Sequence, residues 1–220
     1  MMNLEEYKKR AAEQEDWSPG WDVIDRVFEE LYPNQEPAHF GTDLHARAWL
    51  GGDQYIDGYS IYQSPNGYKH MVTYGMTDLY VNDQSFGGKW SGWGYEMTIK
   101  LAEENVEDCL WAVSMLSNLA NYTYTQKKPF EPFQYVAGNG GSIHIGVDSA
   151  ITALLVLGDP EVSGVDSLHG RVDFLQLVGI TQRELESLIE DPSKVVLLSE
   201  RMKKDNPYFI TDMKRTQSYI

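Results

Sequence analysis

The sequence predicts an α+β fold, a single domain in which a mixed and largely antiparallel sheet is packed by helices. Three observations predict it. Residues 95–101 alternate, with Tyr95, Met97, Ile99 and Leu101 on one face and Glu96, Thr98 and Lys100 on the other, the period of two of a half-buried strand. Ser64-Pro65-Asn66-Gly67 supplies hairpin turn chemistry between apolar runs at 59–63 and 70–75. Stretches at helical spacing are interspersed with strands without a regular βαβ rhythm, which favours α+β over a doubly wound parallel sheet.

Taken in order, residues 1–16 read as a solvated N-terminal arm or helix, and residues 17–220 as the domain. Ser18-Pro19 opens a helix, a hydroxyl cap followed by a proline whose missing N–H costs nothing there. Trp21, Ile24, Val27, Phe28 and Leu31 share its inner face, and Tyr32-Pro33 ends it. Residues 40–49 read as a strand and Gly51-Gly52-Asp53 as a turn. Residues 106–122 carry the clearest apolar helical stripe, with Glu103, Glu104, Glu107 and Asp108 expected in its first turn. A turn-rich segment follows, and then strands at 153–157 and 171–178. Thr181 and Glu184 form a capping box at the head of a helix running to about Ile189. Residues 193–204 read as another helix and 208–213 as a last short strand.

The chain has 220 residues, 42% hydrophobic and 23% charged, ordinary values for a globular protein with a sizeable core. No run approaches the roughly 20 apolar residues that cross a bilayer. The charged N-terminus lacks an apolar signal core, and the single cysteine, Cys109, excludes an internal disulfide, so a reducing cytoplasm is the expected location. A net charge of −15 argues against nucleic acid as a partner and favours a basic protein.

Signatures of chemistry are few. The glycine-rich segment 87–94 joins strands and carries tryptophans, unlike a phosphate-binding loop, and there is neither a nucleophile elbow nor a His-Glu-x-x-His. His39, Asp43 and His45 come nearest to a metal set but lack further ligands, so no cofactor or metal is expected. His144, between Ile143 and Ile145, reads as a structural strand histidine, and Cys109 as a small buried hydrophobe. Asp78 and Asp83, with Glu96 near in the fold, could form a carboxylate pair beside tryptophans suited to sugar stacking. The competing reading is that both aspartates hold turns.

Seven stretches, in order, resemble the suppressor of fused (SUFU) family. They are Leu31-Tyr32-Pro33 with Gln35 and Pro37, Trp49-Leu50-Gly51-Gly52, Tyr59-Ser60-Ile61-Tyr62, Tyr74-Gly75-Met76-Thr77-Asp78-Leu79-Tyr80, Gly92-Trp93-Gly94-Tyr95-Glu96-Met97-Thr98, Phe174-Leu175-Gln176-Leu177-Val178-Gly179, and Ile210-Thr211-Asp212-Met213-Lys214-Arg215. The resemblance, to the family's N-terminal domain, implies a mixed α/β domain that binds proteins and catalyses nothing. Animal members hold a transcription-factor peptide as an added strand in a cleft between two domains, with acidic residues engaging it. Bacterial members are often regarded as immunity proteins that neutralise polymorphic toxins. The second clamp domain is expected to be missing here, which leaves a single-domain binding face.

The expected function is therefore non-enzymatic protein or peptide binding, with a basic toxin domain as the finer expectation and occlusion as the mechanism. Asp78 and Tyr80 are the partner-contacting candidates carried over from the family motif. Asp83 is added from charge, and Tyr74, Trp90 and Trp93 as apolar anchors. The alternative is a carbohydrate-binding or carbohydrate-active protein using the tryptophan-rich loop and its carboxylates. The sequence does not specify the oligomeric state.

Overall fold

In a computed structural model, residues 2–42 and 55–220 are described, and their backbone forms an eight-stranded mixed sheet with five α-helices. The elements are α1 (Leu4–Glu13), α2 (Pro19–Leu31), β1 (Ala38–Gly41), β2 (Gly58–Gln63), β3 (Lys69–Tyr74), β4 (Trp90–Leu101), α3 (Trp111–Gln126), β5 (Tyr135–Ala137), β6 (Ile151–Gly158), β7 (Val165–Ser167), β8 (Gly170–Thr181), α4 (Gln182–Glu190) and α5 (Lys194–Asp205). Strand order is β1-β2-β3-β4-β8-β6-β5, with β7 hairpinned onto β8. Only the central β4–β8 pair is parallel among these strands. The other ladders are antiparallel, as the hairpin signals imply.

Local chemistry accounts for the element ends. The β2–β3 hairpin closes with Ser64 N–H on the Tyr68 carbonyl at 2.8 Å, and Gly67 takes a φ of 85° that side chains resist. Thr181 and Glu184 cap α4 reciprocally. Ser18 precedes α2 without a side-chain cap bond, so the Pro19 half of that start signal alone is realised. The acidic cluster before α3 falls outside it: Glu107–Cys109 is a 3₁₀ turn, and α3 begins at Trp111 with no acid in its first turn.

The main correction concerns β4. Its residues from Tyr95 to Leu101 are buried on both faces, because helices cover both sides of the sheet. One face packs Met97, Ile99 and Leu101 with Leu116, Leu119 and Ala120 of α3. The other face carries two separate apolar clusters. Ile24 and Phe28 of α2 meet Tyr62, Val72, Tyr74 and Phe174 in one, and α4 and α5 cover Leu155, Val178 and Ile180 in the other. Glu96, Thr98 and Lys100 lie in the core on that second face of β4, with buried Gln176 on β8.

The polar row on β4 is fully engaged. Lys100 Nζ reaches Asp159 Oδ1 at 2.7 Å and Glu161 Oε2 at 2.8 Å, and Thr98 Oγ1 donates to Asp159 Oδ2 at 2.7 Å. His70 lies between Tyr32 Oη (2.8 Å from Nδ1) and Asp159 Oδ2 (2.9 Å from Nε2). A carboxylate can only accept, so Nε2 carries the proton and Tyr32 donates to Nδ1. Burial holds His70 below its ordinary pKa despite Asp159, which leaves the ring neutral. Burial also opposes ionisation of Asp159, but hydrogen bonding from His70 and the Lys100 ammonium hold its carboxyl well below the usual carboxylate range.

Three further expectations change. Residues 4–13 form a docked helix whose Tyr7 is fully buried beside Trp17, Phe86 and His169, so this segment is more than a solvated lead. The strand expected at 40–49 begins at Ala38; its part from 43 on, with the Gly51-Gly52-Asp53 turn, lies outside the described residues. Residues 208–213 make one isolated parallel bridge, Thr211 to Leu101, and no strand. Cys109 is buried as expected, its thiol pushed up to about 12 by burial.

Candidate functional site

The loop from residue 75 to 94 is built outward from Glu96. This buried carboxylate accepts the N–H groups of Gly75, Met76 and Thr77 (3.0–3.1 Å), and the hydroxyls of Thr73 (2.8 Å) and Thr77 (2.7 Å). Five donors fix the exit of β3 and aim the next residues at the surface. A second anchor is His169, also buried. Its Nδ1 is 2.9 Å from the Asp78 carbonyl, which only accepts, so Nδ1 donates and Nε2 accepts from Tyr7 Oη at 2.8 Å. The Tyr7 oxygen in turn accepts the Asn82 N–H at 2.7 Å. Helix α1 and the β7–β8 turn thus hold both ends of residues 78–82.

On this frame the six sequence candidates separate. Asp78 is half-buried; its Oδ2 accepts the Gly92 N–H at 2.8 Å and its own N–H donates to Ser91 Oγ at 2.9 Å. Tyr80 is 48% exposed and Trp90 47% exposed. Asp83 is exposed and pairs with Lys8 at 3.3 Å. Trp93 is half-buried, edge-on to Tyr124 at 5.5 Å, with Lys127 Nζ 5.7 Å from its ring. Tyr74 corrects the list: it faces α2 from β3, is fully buried, stacks on Trp21 at 4.1 Å and donates to Asp25 at 2.8 Å. It supports the surface from below and does not line it. Asp78 holds the loop through Gly92, as the turn-holding reading has it, whereas the contact of Asp83 is the exposed ion pair with Lys8 of α1.

Of the three metal candidates only His39 is among the described residues. His39 Nδ1 lies 2.9 Å from Ser60 Oγ, and Asp43 and His45 fall outside the described residues. No group of three or more His, Cys, Asp or Glu among the described residues could hold a metal ion. His144 lies in an irregular segment, not a strand, and stacks on Trp111 at 4.7 Å.

Sequence reasoning misses an apolar surface at the β5 end of the sheet. Strand β5 is the terminal strand on that side, paired only with β6 among the described residues. Between β5 and α3 run two grooves of about 420 and 770 Å³ that share Asn118, Leu119, Val136 and Ala137. Phe133, 48% exposed, and Tyr122 stand over the larger groove, and Ile145, 89% exposed, over the smaller. Lys128 and Glu131 are the charged side chains in this lining. Phe133 is held at a φ of 70°, unusual for an aromatic residue. An apolar trough beside a terminal strand offers hydrophobic pockets and free main-chain groups together, the combination that takes up an added strand. The one sequence signal is Tyr135-Val136 after Pro132, too short a run to read as a strand.

Fold and surface together define an α+β domain, a mixed sheet covered by helices on both faces. The chain belongs to the suppressor of fused family: the model described as "Suppressor of fused protein (SUFU)" matches residues 52–216. It is 30% identical over 206 residues to the Suppressor of fused homologs of Homo sapiens and of Mus musculus, covering 86% of this chain and 41% of either relative. It therefore spans about two fifths of the length of those relatives. Among solved structures it resembles a chain of the Sufu–Fu complex, at TM-score 0.78 and 25% identity, covering 92% of this chain and 93% of that one. Drosophila Suppressor of Fused matches at TM-score 0.77 and 26% identity, covering 92% of this chain and 51% of that one. A SUFU homolog from Neisseria gonorrhoeae shares the fold at TM-score 0.59 and 17% identity, covering 92% and 97%. No helix among the described residues is long and apolar enough to cross a membrane.

Proposed function

We propose that this chain is a non-enzymatic, cytoplasmic protein-binding domain that seats an extended segment of a partner protein against β5. The observation that carries this reading is the terminal strand flanked by two apolar grooves, with Tyr122, Phe133 and Ile145 exposed above them. Strand addition takes affinity from main-chain hydrogen bonds and selectivity from side-chain pockets. Family membership adds that a relative has been crystallised as a Sufu–Fu complex, a protein–protein assembly.

The finer reading is an immunity protein that neutralises a basic toxin domain by covering it. A net charge of −15 supports a basic partner, because complementary charge accelerates encounter. In this reading Asp78, Tyr80, Asp83, Trp90 and Trp93 are a second contact surface, apart from the β5 trough. The test is affinity capture from the native host with the wild-type chain and with Tyr122→Glu, followed by mass spectrometry and a toxicity assay with the captured protein. Capture of a basic toxin, lost in the variant, supports the reading. Saturable binding on a glycan array that requires Trp90 and Asp78, with no protein captured, replaces it with the carbohydrate alternative.

A further inference from the structure

We infer that the sheet edge at β1 carries a separate docking groove for an arginine-bearing extended segment of a partner protein. This goes beyond the β5 reading and does not depend on it. A groove of about 760 Å³ lies between α2, the 33–37 turn and the β1–β2 hairpin. Its accessible ring is Trp21, with Tyr32 and Tyr62 buried beneath; its acids are Asp25, Glu29 and Glu36, and His39 is in the lining with no Lys or Arg. None of the three carboxylates makes an ion pair among the described residues. Asp25 is half-buried and accepts the Tyr74 hydroxyl, while Trp21 is fixed by its stack on Tyr74 and an edge contact from His39 at 5.5 Å.

These features complement one chemistry. A guanidinium lies flat on an indole ring and donates in a fork to a carboxylate, so it uses Trp21 and the acids at once. An ammonium would use the charge but not the fork, and an anion would meet three acids with only His39 beside them. The strand that borders the groove, β1, is the terminal strand on this side and pairs only with β2 among the described residues, so an extended backbone has an edge to follow. Burial raises the Asp25 carboxyl above its ordinary pKa, the Tyr74 hydrogen bond and His39 act the other way, and a bound guanidinium would add to them.

The probe is the blocked tetrapeptide Val-Arg-Val-Arg and its citrulline twin, which keeps the shape and loses the charge. Binding is followed by calorimetry and tryptophan fluorescence at low salt. The variant is Asp25→Asn with Glu29→Gln, in which the introduced amide oxygen still offers Tyr74 an acceptor. A charge-matched control is Glu200→Gln with Asp205→Asn, both exposed in the C-terminal half of α5. Saturable binding of the arginine peptide, about tenfold weaker in the groove variant and unchanged in the control and in Tyr122→Glu, supports the inference. Equal affinity for the citrulline peptide, equal loss in groove and control variants, or no saturable binding overturns it. Loss in Tyr122→Glu alone would assign the peptide to the β5 trough and likewise overturn it.

Discussion

Glu96 reaches back from β4 to take both the N–H of Thr77 at 3.0 Å and its hydroxyl at 2.7 Å, so one buried carboxylate sets the course of the loop leaving β3. This contact ties the interior of the sheet to the surface where Asp78 and Tyr80 stand. Glu96→Ala leaves five donors without their acceptor. A loss of about 3–5 kcal/mol is expected, as for other broken buried polar networks. Urea denaturation checks it, and a variant of unchanged midpoint would show that water replaces the carboxylate.

Gly92 makes the same loop sensitive to backbone shape. It sits at a φ of 53°, and a Cβ there would lie 2.7 Å from the Met76 carbonyl oxygen. Gly92→Ala therefore combines strain with a clash and is expected to cost about 2 kcal/mol or more. The measure is thermal unfolding. Gly140→Ala, where nothing lies within 4 Å but φ is also positive, provides the strain-only comparison.

His70 gives the fold a pH dependence of known sign. Its folded pKa lies below the ordinary 6.5, so below that value the unfolded chain binds a proton the folded chain refuses. Stability from this group is complete above about 6.5 and is lost as pH falls through that window. Asp159, depressed in the folded state, adds a second loss at lower pH, below the ordinary carboxylate range. Denaturant midpoints measured from about pH 7.5 to about pH 5 should fall, and His70→Gln should flatten that fall while lowering the midpoint throughout. An unchanged slope in the variant would place the titration elsewhere.

The loop surface has its own test. Replacing Asp78 and Asp83 with Ala together removes one carboxylate that holds Gly92 and one paired with Lys8. The domain should stay folded, with a stability cost of about 1–2 kcal/mol from Asp78. Capture of the partner should weaken. Unchanged capture by a folded double variant removes both residues from the interface.

Much of this architecture is legible in the chain because local chemistry and tertiary demand agree. The Thr181–Glu184 box, the Gly67 turn and the apolar core of β6 are examples. Alternation in β4 marks Tyr95, Met97, Ile99 and Leu101 as one face, but it reads polarity and not coverage. Thr98 and Lys100 look exposed in sequence and are buried because their shared partner, Asp159, lies 61 and 59 residues further along the chain. Glu96 is buried likewise, with its donors supplied by β3 and the loop that follows it. Tyr74 reads as a surface anchor for the converse reason: nothing local reveals that α2 covers it. Strand β5 is invisible in sequence since three residues carry no measurable period, and its register comes entirely from β6.

The central claim is that a partner's backbone adds to β5. Amide hydrogen exchange of the chain, alone and with its captured protein partner, reads this directly. The account expects new protection at Tyr135–Ala137 and at the exposed face of α3 around Tyr122, with Tyr122→Glu abolishing both. Protection confined to other strands while residues 133–137 exchange as in the free chain would contradict it.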